Sequence, residues 1–161
     1  MRFEDVGNQV YHMMEDVINN EHSHLVGAGI CIMFDNKKRK QGDGYVLGRI
    51  KATSEEMKAF ATNEQGQPYD YVMFLDKEVW LRLDEEDQKR LIYHELCHCK
   101  VTESETAPYK VRTHEIETFY SEIERNSSDP RWSERIGLIA ASVHDPENNE
   151  APNDGEGELD E

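Results

Sequence analysis

The pentapeptide His94-Glu95-Leu96-Cys97-His98 is an H-E-x-x-H motif, and a chain that carries it must bring two histidines and a glutamate together. In an α-helix, residues four positions apart lie about 40° apart around the axis, so His94 and His98 would present two imidazoles side by side. Glu95 would lie beside them, close enough to hydrogen-bond a water molecule held by a shared metal. Two histidines, an open coordination position and a carboxylate base form the zinc-peptidase arrangement. The motif therefore predicts a helix that binds one zinc ion (Zn²⁺), with Glu95 as the general base.

The residues around the motif predict that this helix is buried. We predict one helix of about five turns over residues 84–101, with Asp84 as its N-cap and acidic residues in its first turn. In its second half, apolar side chains surround the motif: Leu91, Ile92, Tyr93, Leu96, Cys97 and Cys99. Histidines on a buried helix need polar partners, and a shared metal would satisfy both of them. The alternative, two surface histidines on an ordinary helix, would not require these apolar neighbours.

Hydrophobic periodicity predicts further short elements. They are a helix over residues 3–20 and strands over residues 25–34, 45–52 and 70–75. Ser54 can cap a short helix that ends at Ala61. Residues 35–44 have the Gly and Asp content of a hairpin connection between the first two strands.

That connection contains the positive cluster of the chain, the run Lys37-Lys38-Arg39-Lys40. A solvated loop tip is the simplest interpretation of such a run. A contact with a partner or with nucleic acid is the alternative.

The formal net charge of −16 is concentrated at one end of the chain. Residues 144–161 contain eight acidic side chains and no lysine or arginine, so the remainder carries −8. A segment rich in Pro, Asn, Gly and Glu cannot bury enough apolar surface to offset its ordering entropy. We therefore predict one domain over residues 1–143 and a disordered acidic tail over residues 144–161. The tail would act as a solubilising appendage or, alternatively, mimic nucleic acid or bind a basic partner.

Three cysteines are too few and too poorly placed for a disulfide framework. Cys97 and Cys99 are too close on one helix to form a bridge, and Cys31 lies in a predicted strand. The absence of a Cys-x-x-Cys pair excludes a separate zinc ribbon. We interpret Cys97 as a small buried apolar residue rather than as a ligand or nucleophile.

The chain shows no targeting or membrane signal. Its first residues lead directly into a polar amphipathic pattern, unlike a signal peptide. No apolar run approaches the ~20 residues that cross a bilayer. A cytoplasmic location is expected.

A catalytic zinc normally takes three protein ligands, so one must come from outside the motif. The downstream candidates are His114, Glu115, Glu117 and Glu122. Residues 111–124 are predicted to be helical, with an apolar stripe formed by Ile116, Phe119, Tyr120 and Ile123. A helix formed from Val111 would point His114 away from that stripe and so count against it as a ligand, unless the helix begins at or after His114. The remaining histidines, including His22 and His144, are predicted to be surface or capping residues.

Four stretches carry a further resemblance: Asp70-Tyr71-Val72-Met73-Phe74-Leu75, Trp80, the run from Gln88 to His98, and His114-Glu115-Ile116-Glu117-Thr118-Phe119. In these stretches the chain resembles the phage-type metallopeptidases, a small group similar to SprT-like and minigluzincin proteases. The resemblance implies an α+β, zincin-like domain in which a short β-sheet packs on a buried metal-binding helix, with further flanking helices. In SprT-like proteins a His shortly before a Phe is the third zinc ligand, which implies His114 here. The C-terminal zinc ribbon of full SprT proteins is missing.

The expected activity is metal-assisted hydrolysis of an amide bond in a protein or peptide. Glu95 would take a proton from the attacking water and return it to the leaving amine. Candidates for stabilising the oxyanion are Tyr109, Arg112 and Tyr120. Glu115 and Glu117 are candidates for hydrogen bonds to a ligand imidazole.

The charge of the chain disfavours nucleic acid as a partner. DNA affinity depends on phosphate neutralisation by Lys and Arg, and the predicted domain is itself acidic. The DNA-repair role of SprT-like proteases is therefore not expected here, unless the basic run acts alone. Two alternatives stay open, a protease with one dedicated target and a zinc-stabilised, catalytically silent binding module. The intact Glu95 argues against the second, because a structural site has no use for a general base.

Overall fold

Short strands and helices alternate along the chain, in a computed structural model that describes residues 1–42, 44–113 and 119–145. The strands are β1 (Phe3–Asp5), β2 (Ile30–Asp35), β3 (Lys40–Gln41), β4 (Gly44–Tyr45), β5 (Gly48–Ala52), β6 (Tyr71–Asp76), β7 (Cys99–Val101) and β8 (Tyr109–Val111). The helices are α1 (Asn8–Glu21), α2 (Glu55–Phe60), α3 (Lys77–Trp80), α4 (Glu85–Cys97), α5 (Tyr120–Arg125) and α6 (Trp132–His144), with a short 3-10 helix at Ser23–Leu25. The predicted α+β class is confirmed.

Four strands form the main sheet, in the order β1-β2-β6-β5. β2 runs parallel to β6, while β1 and β5 run antiparallel to their neighbours at the two edges. Nearly every residue of β6 is buried, as expected for a central strand covered on both faces. Two further antiparallel pairs, β3-β4 and β7-β8, lie outside this sheet.

The core joins α1 and α4 to the central strands. α1 buries one stripe at helical spacing, consisting of Val10, Met13, Met14, Val17 and Ile18. α4 contributes Leu91, Ile92 and Leu96 to the same cluster, in which Ile32 and Met73 of the sheet are fully buried. The motif helix is therefore an internal element, as its apolar neighbours predicted.

The N-terminal helix is shorter than the one predicted over residues 3–20. Phe3–Asp5 pairs with β2 as a strand, and α1 begins only at Asn8. Gly7 separates the two elements with φ at 85°, a left-handed conformation that few other residues adopt. Helical periodicity extends into residues 3–5, but pairing with a distant strand overrides it.

The predicted hairpin does not join the first two predicted strands; the antiparallel pair within that connection is β3 with β4. β2 pairs with β1 and β6, and β5 pairs with β6, so β2 and β5 are not neighbours. The strand predicted over residues 45–52 is interrupted at residues 46–47, where β4 ends before β5 begins. The strand predicted over residues 25–34 likewise begins only at Ile30, because residues 23–25 form the 3-10 helix.

The motif helix begins as predicted and ends earlier. The Asp84 carboxylate accepts a hydrogen bond of 2.8 Å from the backbone N–H of Asp87, which confirms the N-cap. The helix ends at Cys97 with His98 as its C-cap, whereas the prediction extended it to residue 101. Cys99–Val101 is instead the strand β7, because β8 provides it with a pairing partner.

The segment after the motif differs most from its prediction. Val111 belongs to β8, and α5 begins only at Tyr120, so no continuous helix spans residues 111–124. Residues 114–118 lie outside the described part of the chain. α6 was not predicted at all, although it supplies the buried residues Trp132, Ile136 and Ala140.

Other predictions agree more closely with the structure. Ser54 caps α2 by accepting a hydrogen bond from Met57 N, and the helix ends just before Ala61.

The helices in the described part of the chain are all too short or too polar to span a bilayer. Residues 146–161 lie outside the described part, so their disorder stays a prediction, whereas His144 and Asp145, which were assigned to the tail, form the end and the C-cap of α6.

Candidate active site

The two motif histidines lie together at the C-terminal end of α4. Their ring centroids are 5.3 Å apart, with the ring planes at 83°. The fully buried Phe119 contacts both rings, at centroid distances of 5.6 Å from His94 and 5.0 Å from His98. Spacing along the helix therefore brings both imidazoles to one place, as the motif predicted.

Glu122 of α5 fixes the ring of His94. Its Oε1 atom lies 2.7 Å from His94 Nδ1, and its side chain is 1% exposed. The same oxygen accepts a hydrogen bond of 3.3 Å from the backbone N–H of Phe119, at the start of α5. Burial alone would lower the pKa of His94, but the hydrogen bond to Glu122 and the charge of Glu95 outweigh it, so this pKa is raised.

Arg112, which follows β8, fixes the ring of His98. The His98 Nδ1 atom lies 2.7 Å from the Arg112 carbonyl oxygen, and the Arg112 N–H donates to the His98 carbonyl at 2.7 Å. The guanidinium Nε also donates to the Cys97 carbonyl at 2.8 Å, which satisfies a backbone acceptor at the helix end. β8 therefore sets both the end of α4 and the orientation of His98.

Glu95 lies almost completely buried between the helix and the sheet. Burial raises its pKa to about 7; the negative charge of Glu122 adds to this effect and His94 opposes it. Gly48, the first residue of β5, packs its backbone directly on this carboxylate. A Cβ atom at Gly48 would lie 3.1 Å from Glu95 Oε2, so a side chain there would displace the carboxylate.

The cysteines near the motif are buried thiols. Burial raises the pKa of Cys97 to about 11 and that of Cys99 to about 12. Cys97 Sγ lies 3.8 Å from His22 Nε2 and 3.7 Å from Ser121 Oγ. Thiols with such pKa values are poor nucleophiles, which supports the interpretation of Cys97 as a packing residue.

The third-ligand predictions fall partly outside the described residues. His114, Glu115 and Glu117 all lie in the undescribed segment. Glu122, the fourth candidate, is bonded to a histidine of the motif. Within residues 1–42, 44–113 and 119–145 there is no cluster of three or more His, Cys, Asp or Glu side chains suited to a metal ion.

The two described histidines nevertheless have the chemistry of metal ligands. Each Nδ1 atom is hydrogen-bonded to an oxygen, a carboxylate for His94 and a backbone carbonyl for His98. Such bonds fix the tautomer and orientation of metal-binding histidines and leave Nε2 as the coordinating atom. This part of the site therefore fits a metal ion.

Arg112, one of the three oxyanion candidates, contacts the end of the motif helix. Its guanidinium lies over the Phe119 ring, 4.5 Å from the centroid, and bonds the end of α4. The Tyr109 ring packs edge-on against Tyr71, at 5.6 Å. The side chain of Tyr120 lies outside the described part, so the oxyanion role stays unassigned.

A cavity of about 440 Å³ opens beside the motif. His94, Glu95 and Glu122 line one part of it. The other walls come from Tyr45 to Gly48 and from helices α5 and α6. The buried carboxylate is thus adjacent to a space that can admit a substrate.

Two histidines that were predicted to be surface or capping residues have buried side chains. His22 is 6% exposed and packs on Tyr93, at a centroid distance of 4.6 Å. The His144 side chain is also 6% exposed, with Nε2 located 2.6 Å from Asp76 Oδ2. His22 is also the C-cap of α1, where its backbone N–H donates to the Ile18 carbonyl at 3.0 Å, so the capping alternative is confirmed for this residue. Surface exposure is wrong for both side chains, because the sequence did not reveal α6, whose last residue is His144, nor the packing of α1 on α4.

Paired imidazoles and a buried carboxylate beside a cavity are the arrangement expected of a hydrolytic metal site. A family model described as "Putative phage metallopeptidase" matches residues 1–142, so the chain belongs to this family of peptidases. The resemblance to phage-type metallopeptidases is thereby confirmed, and it implies protein or peptide substrates. No curated protein and no solved structure matched the chain.

Proposed function

We propose that the protein is a zinc-dependent endopeptidase in which Glu95 is the general base. His94 and His98 would bind the ion through Nε2, and His114 would be the third ligand, with Glu117 as the alternative. The observation that carries the proposal is the burial of Glu95 beside two oriented imidazoles, on the wall of a cavity.

The residues of the chain divide the chemistry between them. When bound, zinc supplies a Lewis acid that polarises the scissile carbonyl and lowers the pKa of water from ~15.7 toward ~7. Glu95 accepts a proton from the attacking water and donates it to the leaving amine. A base is most effective when its pKa lies near the working pH, and burial brings the pKa of Glu95 to about 7.

Charge and packing restrict the substrate. The net charge of −16 opposes binding to DNA, and the peptidase family implies a protein or peptide substrate. Both are in keeping with a phage-encoded enzyme that has a dedicated protein target. The backbone of Gly48 packs closely against Glu95, where an added Cβ atom would lie 3.1 Å from Glu95 Oε2. The SprT-like resemblance supports the same chemistry, with His114 carried over from that motif.

Replacing Glu95 by Gln tests the mechanism. Glu95→Gln keeps the shape of the side chain and removes its basicity, so zinc content should stay near that of the wild type while hydrolysis falls by at least about 100-fold. Zinc is measured by mass spectrometry of the metal, and hydrolysis by the new termini formed in a peptide library. Glu86→Gln, an exposed substitution in the first turn of the same helix, is the matched control.

Each outcome separates the possible roles. Equal hydrolysis by wild type and Glu95→Gln would refute the base. Loss of zinc together with activity would make Glu95 a ligand. Zinc binding by the wild type without hydrolysis of any peptide would favour the catalytically silent binding module.

A further inference from the structure

The cavity extends well beyond the reacting groups. Its volume of about 440 Å³ lies within the range, roughly 300–1,000 Å³, of pockets that enclose small ligands. Glu95 and His94 form only part of its lining. The remaining space is therefore available to a part of the substrate other than the scissile bond.

The walls away from the motif are largely apolar. Leu91 of α4 lies there with Trp132 and Ile136 of α6, and all three are buried. Leu47 and Pro130 add further apolar surface. Moving a substrate side chain from water into this space lowers the free energy only if the side chain is itself largely apolar.

The charged groups of the lining disfavour an ionised side chain. Among the described lining residues there is no lysine or arginine to pair with an acidic substrate residue, and the carboxylates of Glu95 and Glu122 would repel it. A basic side chain would have to compete with the groups that these carboxylates already serve. Glu122 is bonded to His94, and Glu95 acts as the base. The lining therefore favours a neutral occupant over an acidic one.

One polar group in the wall suggests where the substrate backbone lies. Asn126 lines the cavity, is 3% exposed and accepts a hydrogen bond of 3.0 Å from Arg125 Nη1 through Oδ1. Its amide Nδ2 has no hydrogen-bond partner among the described residues. Buried donors are rarely left without an acceptor, and every residue of a peptide carries a carbonyl.

We propose that this cavity is the specificity subsite of the peptidase, a proposal that rests on the proposed function. It takes a large neutral apolar side chain, such as Phe, Leu or Met, on a residue adjacent to the scissile bond. Trp132 and Ile136 set the size limit of that side chain. Asn126 donates a hydrogen bond to a substrate carbonyl.

Cleavage profiles of two variants that change the size of the subsite test this proposal. Zinc-loaded wild type, Ile136→Phe and Ile136→Ala are given a peptide library, and the residues flanking each cut are counted by mass spectrometry. Ile136→Phe should lower kcat/KM for large apolar residues at least about tenfold and shift preference to Ala or Val, whereas Ile136→Ala should admit Trp. Leu138→Phe, on the same helix at a position 62% exposed, should leave the profile unchanged.

A binding measurement provides a second readout that does not depend on turnover. Because Trp132 lines the cavity, tryptophan emission of zinc-loaded Glu95→Gln should change on titration with acetylated, amidated Gly-Gly-Xaa-Gly-Gly peptides. The Phe peptide should bind at least about tenfold more tightly than the Ala or Glu peptide. Adding Ile136→Phe should remove this preference, and adding Leu138→Phe should not.

The outcomes distinguish this proposal from the one on which it rests. Cleavage without preference for apolar residues, or a preference that Ile136→Phe and Ile136→Ala both leave unchanged, overturns the subsite and leaves the peptidase intact. Absence of all cleavage, with discrimination in binding, overturns the peptidase and leaves the subsite. Equal affinities for the Phe, Ala and Glu peptides overturn the subsite whatever the cleavage result.

Discussion

Glu122 is a single side chain that connects two parts of the site. Its Oε1 atom accepts a hydrogen bond from the start of α5 and also bonds His94 Nδ1. The position of α5 and the orientation of one predicted zinc ligand are therefore coupled. The sequence suggested Glu122 only as a possible ligand. Its bond to His94 could not be predicted, because the two residues lie 28 positions apart on different helices and no local pattern links them.

Removing the charge of Glu122 should weaken zinc binding without abolishing it. Glu122→Gln keeps the shape of the side chain but loses the carboxylate that supports the imidazole. We expect a loss of roughly 10- to 100-fold in zinc affinity, the range typical of such partners. Competition titration against a chelator measures it, with the exposed neighbour Glu124→Gln as control. An unchanged affinity would show that Glu122 serves only to cap α5.

His22 shows how burial changes the response of the protein to pH. Burial lowers its pKa to about 4, and the nearby His24 contributes in the same direction. The ring packs on Tyr93 at 4.6 Å and lies beside Cys97, with Arg125 and Glu21 as the other charged groups that act on it. In the folded protein this imidazole is therefore neutral at pH values where an exposed histidine is protonated.

Stability should fall as the pH decreases from about 6.5 to about 4. In this window the unfolded chain binds a proton at His22 and the folded protein does not, so protonation favours unfolding by up to on the order of 3 kcal/mol. His22→Phe keeps a ring against Tyr93 and removes the titration. The free energy of unfolding, measured by urea denaturation of both proteins, should fall more steeply for the wild type across this window. If the free energy of unfolding changed with pH by the same amount in both proteins, the low pKa of His22 would be contradicted.

At the scale of elements, the sequence predicted what depends on neighbouring residues. The N-cap Asp84, the cap Ser54 and the apolar faces of the motif helix were all correct, because local hydrogen bonds and periodicity determine them. The end of the motif helix was predicted wrongly, because Cys99–Val101 pairs with a strand that begins at Tyr109. The hairpin failed for the same reason, since β5 pairs with β6 rather than with β2.

The site was predictable to a similar extent. The histidine pair and Glu95 follow from one short motif, whereas the partners Glu122 and Arg112 come from segments that only the fold brings close. α6 had a usable signal in the spacing of Trp132, Ile136 and Ala140, directly after Pro130. Without α6, sequence reasoning could not reveal the cavity.

A glycine in α6 allows a test of what stabilises this helix. Gly137 is exposed, and a Cβ atom there would meet nothing within 4 Å. Gly137→Ala should therefore stabilise the protein by roughly 0.5–1 kcal/mol, because alanine loses less backbone entropy in a helix.

Thermal unfolding of a second glycine variant provides the comparison. Gly7→Ala also has open space around its Cβ, but φ is +85° there, so the same substitution should destabilise by roughly 1–2 kcal/mol. A lower melting temperature for Gly137→Ala would mean that α6 tolerates no change on its exposed side.

Contacts at both ends of α6 hold the wall of the cavity. Near its start, Arg135 bonds the buried Asp87 of α4 at 2.9 and 2.7 Å, and Arg90 bonds the same carboxylate at 2.8 Å. At its end, His144 bonds Asp76, while Asp145 accepts a hydrogen bond from the Tyr45 hydroxyl. The shape of the cavity thus depends on residues distant from the motif.

Two truncations separate the contribution of these end contacts from that of the acidic tail. Removing residues 146–161 should leave the melting temperature and zinc content unchanged, because the segment offers almost no apolar surface. Removing residues 144–161 also deletes His144 and Asp145, so Oδ2 of the buried Asp76 loses its partner and the Tyr45 hydroxyl loses its acceptor. Leaving a buried polar group unpaired costs about 1–3 kcal/mol, so the melting temperature should drop by several degrees. Calorimetry of both proteins measures the difference; an equal drop in both would mean that the tail itself binds the domain.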